Sequence, residues 1–484
     1  MAAWGDSRVV STPRGQLQGK RLLPDAKLDK PIDAFLGVPF AKPPIGPLRY
    51  KKPEAPEPWS GVKEAKTWGP VAIQPVIPGM PQLHKQSEDC LTLNVFAPTW
   101  DAPSGKGFPV MLFIHGGGYV IGDAASCGYE GTCRYMVSKG VIVVTIQYRL
   151  GYLGFWAADD SSIPTNLGLW DQVQALKWVQ ENIGSFGGDK ESVTIFGLSA
   201  GGGSVDLLTL SPHSNLLFHR IIGLCGSAYC PWATNSREKQ HQFCSDKLKE
   251  LGLEGKSESE VYDALMALDA ATFAVAPYSD IIIGFHGAPI IDGDFFPESL
   301  EELRKKAPAI PVITGVSSME ALLFDFFKLP GHNRDDIKAS VEKEAADRKG
   351  DAGKLSEAVH DFYEIHDAAK AKIGSTRYIS DFLFDASALR MCQEGMLPVV
   401  LEEDDYKMIE IWTRVITNFA KYSDPNGCPS DASTAIPVAW PRLTTEHNER
   451  HLLVSLTPSV KDGSFLDGRP ARLIEIFKAH AAKI

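Results

Sequence analysis

From about residue 109 onward, short and nearly continuous apolar runs alternate with stretches of helical spacing. The runs are Val110 to His115, Val141 to Tyr148, Val193 to Phe196, Ile221 to Cys225 and Pro311 to Gly315. Strands of a mainly parallel sheet, buried on both faces, have this continuous rather than alternating character. Between them, Leu169, Val173, Leu176 and Val179 fall near helical spacing and predict a helix over 169–180. Alternating strands and helices predict an α/β fold, a central mostly parallel sheet flanked by helices. Ahead of residue 109 the chain is rich in Pro and Gly, with strand-like runs at Pro31 to Phe40 and Leu91 to Phe96. Segments 232–275 and 334–373 read as amphipathic helical insertions over the carboxyl end of the sheet, where open α/β folds bind ligands. The run Tyr378 to Phe384 reads as a strand. With no repeat and no low-complexity linker, residues 1–484 read as one domain, although length alone suggests three units of about 150 residues.

Charge removes two classes of partner. The chain carries 49 Lys and Arg against 60 Asp and Glu, a net charge of −11, and its basic clusters are as short as Arg304-Lys305-Lys306. Such a chain is poorly suited to nucleic acid or anionic lipid. No stretch approaches the roughly 18 apolar residues that span a bilayer. The eight cysteines show no CxxC or Cys/His spacing, so neither a metal nor a cofactor is implied. Met1 to Arg8 lacks the basic and apolar regions of a signal peptide, and there is no Asn-x-Ser/Thr sequon. The expectation is a cytoplasmic chain with free thiols.

Two glycine-rich turns carry candidate chemistry. Val193 to Gly202 runs from strand to helix through Gly197-Leu198-Ser199-Ala200-Gly201. The G-x-S-x-G pattern in this context is that of a nucleophile elbow, which presents the Ser199 hydroxyl at a strand end beside the positive end of a helix. The second turn, Phe113-Ile-His-Gly-Gly-Gly-Tyr, also follows a buried-strand pattern. Its glycines let backbone N–H groups approach a substrate oxygen and stabilise the charge of a tetrahedral intermediate. A glycine-rich packing turn is the plain alternative for each; together they form the two halves of a hydrolase oxyanion site.

These turns stand among further matching stretches: Phe35-Leu-Gly-Val-Pro-Phe-Ala-Lys-Pro-Pro-Ile-Gly-Pro-Leu-Arg-Tyr, Ser87-Glu-Asp-Cys-Leu-Thr-Leu-Asn-Val, Asn182-Ile-Gly-Ser-Phe-Gly-Gly-Asp and Asn418-Phe-Ala-Lys-Tyr-Ser-Asp-Pro-Asn. In this order, over residues 35–426, they resemble the type-B carboxylesterase/cholinesterase-like family of α/β-hydrolases. The resemblance implies a serine carboxylester hydrolase without cofactor, acting on a small-molecule ester. It makes Ser199 the nucleophile and Gly117, Gly118 and Ala200 the oxyanion donors. Gly315-Val-Ser-Ser-Met-Glu-Ala resembles the family's G-x-x-x-x-E-G segment and picks out Glu320 as the triad acid, with Ala321 in place of the usual Gly. Arg49 with Glu88 and Arg149 with Asp171 resemble the family's internal ion pairs. Leu198, where cholinesterases carry Glu, and a stretch Ile73 to Glu88 without Trp argue for general apolar esters over choline esters. Ala72 and the region around Gly252 and Val261–Leu265 lack cysteines expected for two family disulfides, which again fits a reducing compartment.

The third triad member should be a histidine in a segment resembling H-G-x-E/D-L-P, and none is found. After Arg390 the chain passes through Met396-Leu-Pro-Val-Val to the Trp412–Asn426 block, with no histidine between His366 and His447. This reads as an internal deletion, by exon skipping, an error in gene structure or real loss, and Leu397-Pro-Val-Val resembles the tail of the missing loop. His332, His366, His447, His451 and His480 each read as surface residues rather than substitutes. Loss of a sheet strand here would expose neighbouring strand edges. A catalytically inactive isoform or a non-catalytic binding relative is therefore the alternative to an active esterase. Nothing in the sequence specifies the oligomeric state.

Overall fold

The computed structural model describes residues 3–480 other than 27, 77–83, 127, 158–162, 276–286, 318–319, 322–336, 339–340, 343–350, 364, 366–370, 386–396, 402–404, 428–430, 432–433, 437–450, 455–458 and 462–468. Among the described residues, thirteen strands make one sheet. They are β1 (Trp4–Thr12), β2 (Gly15–Leu22), β3 (Ile32–Pro39), β4 (Val62–Glu64), β5 (Thr92–Pro98), β6 (Phe108–Ile114), β7 (Ile142–Ile146), β8 (Gly188–Leu198), β9 (Arg220–Leu224), β10 (Val312–Ser317), β11 (Leu397–Leu401), β12 (His451–Val454) and β13 (Ser459–Lys461). The order is β1-β2-β3-β5-β7-β6-β8-β9-β10-β11-β12-β13, with β4 beside β2. The main ladder from β1 through β5 to β7 is antiparallel, and β7, β6, β8, β9, β10, β11 and β12 run parallel.

The parallel strands include the continuous apolar runs, because both their faces are covered. In β6, Val110, Leu112 and Ile114 join one core with Leu169, Val173 and Leu176 of the helix Leu167–Asn182. Met111, on the other face, packs in a second core with Val415, Ile416 and Phe419 of the helix Asp405–Tyr422. Parallel strands share a direction, so the loops after β6, β8 and β10 gather at one end of the sheet, where the candidate residues lie. This is the α/β-hydrolase architecture the sequence predicts.

The expected insertions form the helices Arg237–Glu250 and Glu258–Ala267 in the first segment, and Ala352–Phe362 in the second, whose end runs into the helix Ala371–Ser380. The expected strand Tyr378–Phe384 is instead the end of the helix Ala371–Ser380 followed by a π-helical turn, Asp381–Asp385. Tyr378 stacks on Phe382 one turn later, with ring centroids 5.7 Å apart, and Ser380 Oγ donates to the Thr376 carbonyl at 2.8 Å. A short aromatic and aliphatic run fits a buried helix as well as a strand, and here the one-turn pairing wins. The expectation of an exposed strand edge also gives way. Leu397–Leu401 is a strand, β11, paired in parallel with β10 on one side and β12 on the other, so the sheet is continuous there.

Both anticipated ion pairs are present. Arg49 binds Glu88 through two N–H groups at 2.7 and 2.6 Å, and gives its remaining terminal nitrogen to the carbonyls of Leu265, Met266 and Leu268. One side chain thus ties the loop before β5 to the helical insertion. Arg149 and Asp171 bond at 2.8 and 2.7 Å, and Asp171 also accepts the Arg149 backbone N–H at 3.0 Å.

Candidate active site

β8 ends at Leu198 and the helix Ala200–Leu210 starts at once, so Ser199 alone makes the turn. Its φ of 56° and ψ of −122° lie outside the regions an L-residue prefers, a strain that persists only where surroundings dictate it. Here they do. The Ser199 N–H donates to the Leu224 carbonyl at 2.7 Å, and the Ser199 carbonyl accepts from Gly203 at 2.8 Å. Its side chain does not cap the helix, so the half-buried hydroxyl is not spent on the backbone.

Close approach explains the flanking glycines. A Cβ on Gly201 would overlap the Ile114 carbonyl oxygen, and one on Gly197 would overlap the Gly201 carbonyl. The helix is therefore pressed against the end of β6 and carries Ser199 with it. Gly201→Val should destabilise the fold by about 1–3 kcal/mol through overpacking. It should also abolish fluorophosphonate labelling at Ser199, read together by thermal melts and intact-mass spectrometry.

The glycine loop follows β6. His115 is buried, its ring stacked on Tyr148 with centroids 4.4 Å apart and planes 20° apart. Its Nδ1 lies 2.8 Å from the Gly116 carbonyl, and the Tyr148 hydroxyl donates to the His115 carbonyl at 3.0 Å. An imidazole facing a carbonyl must donate, so Nδ1 carries the proton. Burial lowers the His115 pKa, which keeps the ring neutral around pH 7. This histidine anchors the loop. Gly116 passes so near the elbow that a Cβ on it would lie 3.1 Å from Ser199 Cβ. Gly117 and Gly118 have φ of 111° and 61°. The Gly117 carbonyl accepts from Val120 and Ile121 at 3.1 and 3.0 Å, while the N–H groups of Gly117 and Gly118 find no backbone acceptor among the described residues. Ala200 opens its helix, so its N–H has no intrahelical partner. The expected donors and Ser199 thus come together at one sheet end.

Glu320 stands three residues beyond β10 and is half-buried, its Oε1 accepting the Ser317 N–H. The neighbouring Ala321 N–H donates to Ser380 Oγ at 3.0 Å, which ties this turn to the end of the helix Ala371–Ser380. β9 lies between β8 and β10, so at about 4.8 Å per strand the ends bearing Ser199 and Glu320 are about 10 Å apart. An imidazole is needed to bridge them.

Chain order on this fold puts that histidine after the acid, at the end of the next strand. Beyond β11, however, only Glu402, Glu403 and Asp404 intervene before the helix Asp405–Tyr422. His451 opens β12, which is parallel to β11, and so lies at the sheet end opposite Ser199. His480 closes the helix Arg469–His480, and His332, His366 and His447 lie outside the described residues. Sequence reasoning passed over His360, which is buried in the helix Ala352–Phe362. No motif surrounds it, and only its burial distinguishes it.

Leu198, immediately before the nucleophile, is 46% exposed. Cys90, Cys133 and Cys244 are buried free thiols. Burial raises all three, Cys244 to about 12, so they stay protonated and unreactive. Cys127, Cys392 and Cys428 lie outside the described residues. Among the described residues, no cluster of His, Cys, Asp and Glu is placed to hold a metal, and no helix is long and apolar enough to cross a membrane.

Residues 6–397 match the carboxylesterase family. The chain is 35% identical to the esterase cest-33 of Caenorhabditis elegans, over 90% of this chain and 89% of that protein. It is 31% identical to acylcarnitine hydrolase of Mus musculus, over 93% of this chain and 88% of that protein. A medium-chain fatty acyl-CoA hydrolase precursor of Anas platyrhynchos is 32% identical, over 93% and 88%. The first alignment runs over 502 positions yet draws on 90% of 484 residues, so several dozen of its positions have no counterpart in this chain. With the fold, the elbow and a match over most of its length, the chain belongs to the carboxylesterase family.

Proposed function

We propose that this chain is a serine carboxylester hydrolase for small apolar esters, working through an acyl-enzyme, and that its turnover is impaired by the absence of a histidine base. Ser199 is the nucleophile, Glu320 the triad acid, and the N–H groups of Gly117, Gly118 and Ala200 the oxyanion donors. The carrying observation is the strained Ser199 turn held against the glycine loop at one end of the sheet.

Ser199 Oγ attacks the ester carbonyl, whose π electrons move onto oxygen and are met by the three N–H groups. Collapse expels the alkoxide and leaves an acyl-serine, and water repeats the sequence to release the acid. Each half needs a base to take a proton from the attacking hydroxyl and return it to the leaving oxygen. Glu320 is two strands from Ser199 and suits the orientation of an imidazole rather than direct attack on the Ser199 proton. Without that imidazole the hydroxyl stays protonated and weakly nucleophilic.

Half-exposed Leu198 supports the apolar preference, since no carboxylate stands before the nucleophile to meet a quaternary ammonium. In a series of matched esters, kcat/KM for a choline ester should fall at least roughly tenfold below that of its uncharged isostere. Equal or better use of the choline ester would overturn this preference. The buried free thiol of Cys90 supports a reducing, cytoplasmic location.

The three residues between β11 and the next helix, together with the surplus alignment positions, also favour a second reading. In it the chain is a catalytically silent form that keeps the fold and the ester pocket. Transcript sequencing across residues 390–400 separates the two, because a longer transcript carrying a histidine segment would make this chain a shortened isoform of an active enzyme.

A further inference from the structure

A cleft of about 940 Å³ opens at the end of the sheet opposite Ser199. Its floor is the start of three adjacent parallel strands, with Phe108 opening β6, Gly140 preceding β7 and Asp189 at the start of β8. Its wall is the helix Asp405–Tyr422. A seven-residue strand at about 3.3 Å per residue puts it about 20 Å from the nucleophile, so it is no part of the ester site.

The cleft's charge runs against that of the molecule. Lys30, Lys106, Lys139, Arg414 and Lys421 line it, against Asp29, Asp189 and Asp431, in a chain of net charge −11. Lys421, on the wall helix, is tied to the floor, its Nζ donating to the Lys139 carbonyl at 2.7 Å. Burial lowers its pKa and the nearby Lys139 and Arg414 lower it further, while Asp431 opposes them. Cations lining one cleft repel, and an anion placed among them relieves the repulsion. Arg414 adds a planar fork of the kind that suits phosphate oxygens. At the Lys30 side the ammonium sits 5.0 Å over the Trp100 ring, so a planar ligand reaches that aromatic face by displacing the Lys30 ammonium toward its phosphates.

The geometry points to a second binding site, for an organic polyphosphate of nucleotide size, with its phosphates on Lys139, Arg414 and Lys421 and its planar body against Trp100. The volume lies within the range of small-molecule sites, and a cleft this size exceeds what inorganic phosphate alone would fill.

Isothermal titration of the full chain with ADP and with inorganic pyrophosphate tests it at low ionic strength. ADP should bind one to one with a Kd below about 1 mM, and pyrophosphate more weakly. Arg414→Gln and Lys421→Gln should each weaken ADP at least tenfold. Trp100→Leu should weaken ADP and leave pyrophosphate unchanged. Lys30→Gln, away from the helix, replaces the helix variants should their melting curves show misfolding, and should also weaken ADP. Absence of saturable binding by either probe, or ADP binding indifferent to these substitutions, would overturn the site. Pyrophosphate binding as tightly as ADP would overturn its organic component. Ser199→Ala should leave ADP binding unchanged, which keeps the result independent of the ester chemistry.

Discussion

Purified chain supplied with a short p-nitrophenyl ester should turn over about 10⁴–10⁶-fold more slowly than a family member with a complete triad. The comparison is of kcat, at neutral pH and saturating ester. Removing one member of a triad that acts as a unit costs nearly as much as removing all of it. What persists is the residual advantage of oxyanion donors and binding, about 10³–10⁴ over water. Ser199→Ala should remove whatever part of that residue passes through an acyl-enzyme. Glu320→Gln, by contrast, should change the rate little, because on the proposed reading the carboxylate has no imidazole to orient. That asymmetry is the signature of a missing middle member. In an intact triad both substitutions would be severe. Here a large effect of Glu320→Gln would mean that a base is recruited from elsewhere, with His360 the first residue to substitute.

The second large effect concerns the fold. Arg149→Met should cost about 3–5 kcal/mol in equilibrium denaturation, because it strands the Asp171 carboxylate with no access to water. Asp171 is fully buried and the Arg149 side chain is 4% exposed. Burial raises the Asp171 pKa even though Arg149 gives it three hydrogen bonds, so the pair stands on desolvated ground. Replacing both partners should recover much of the loss, since two apolar groups leave no charge behind. Arg149→Met with Asp171→Leu should therefore be more stable than Arg149→Met alone. If the double variant is the less stable of the two, an orphaned Asp171 charge is not what makes Arg149→Met costly.

Much of the parallel sheet was legible because burial on both faces writes itself into the sequence as unbroken apolar runs. Val141 to Tyr148 needs no partner to be recognised, and it brackets β7 within two residues. The elbow was legible for a steric reason, since Gly197 and Gly201 press on backbone that tolerates no side chain. Less was readable where an element depends on distant partners. Leu397–Leu401 contains Pro398 and resembles a loop, and it becomes a strand only by lying between β10 and β12. Tyr378–Phe384 shows no period that separates strand from helix. Arg304 is one of three consecutive cations in the sequence, yet it turns inward to meet the buried Asp206 at 2.6 Å. Asp206 also holds the Ala228 N–H at 2.8 Å, so this pair steadies the loop behind Ser199. Nothing local to Arg304 distinguishes it from Lys305. The cationic cleft shares that property, being assembled from segments hundreds of residues apart.

The most direct test of the central claim is the second-order rate of Ser199 phosphonylation by a fluorophosphonate, followed by intact mass and mapped by peptide sequencing. The reagent needs the nucleophile and the oxyanion donors but no specific acyl pocket, so it isolates the elbow and its base. A preformed elbow without histidine predicts labelling confined to Ser199, at a rate orders of magnitude below that of a histidine-bearing relative. Rapid labelling of Ser199 at a rate matching such a relative would contradict the account, because it would require a working base where none has been found.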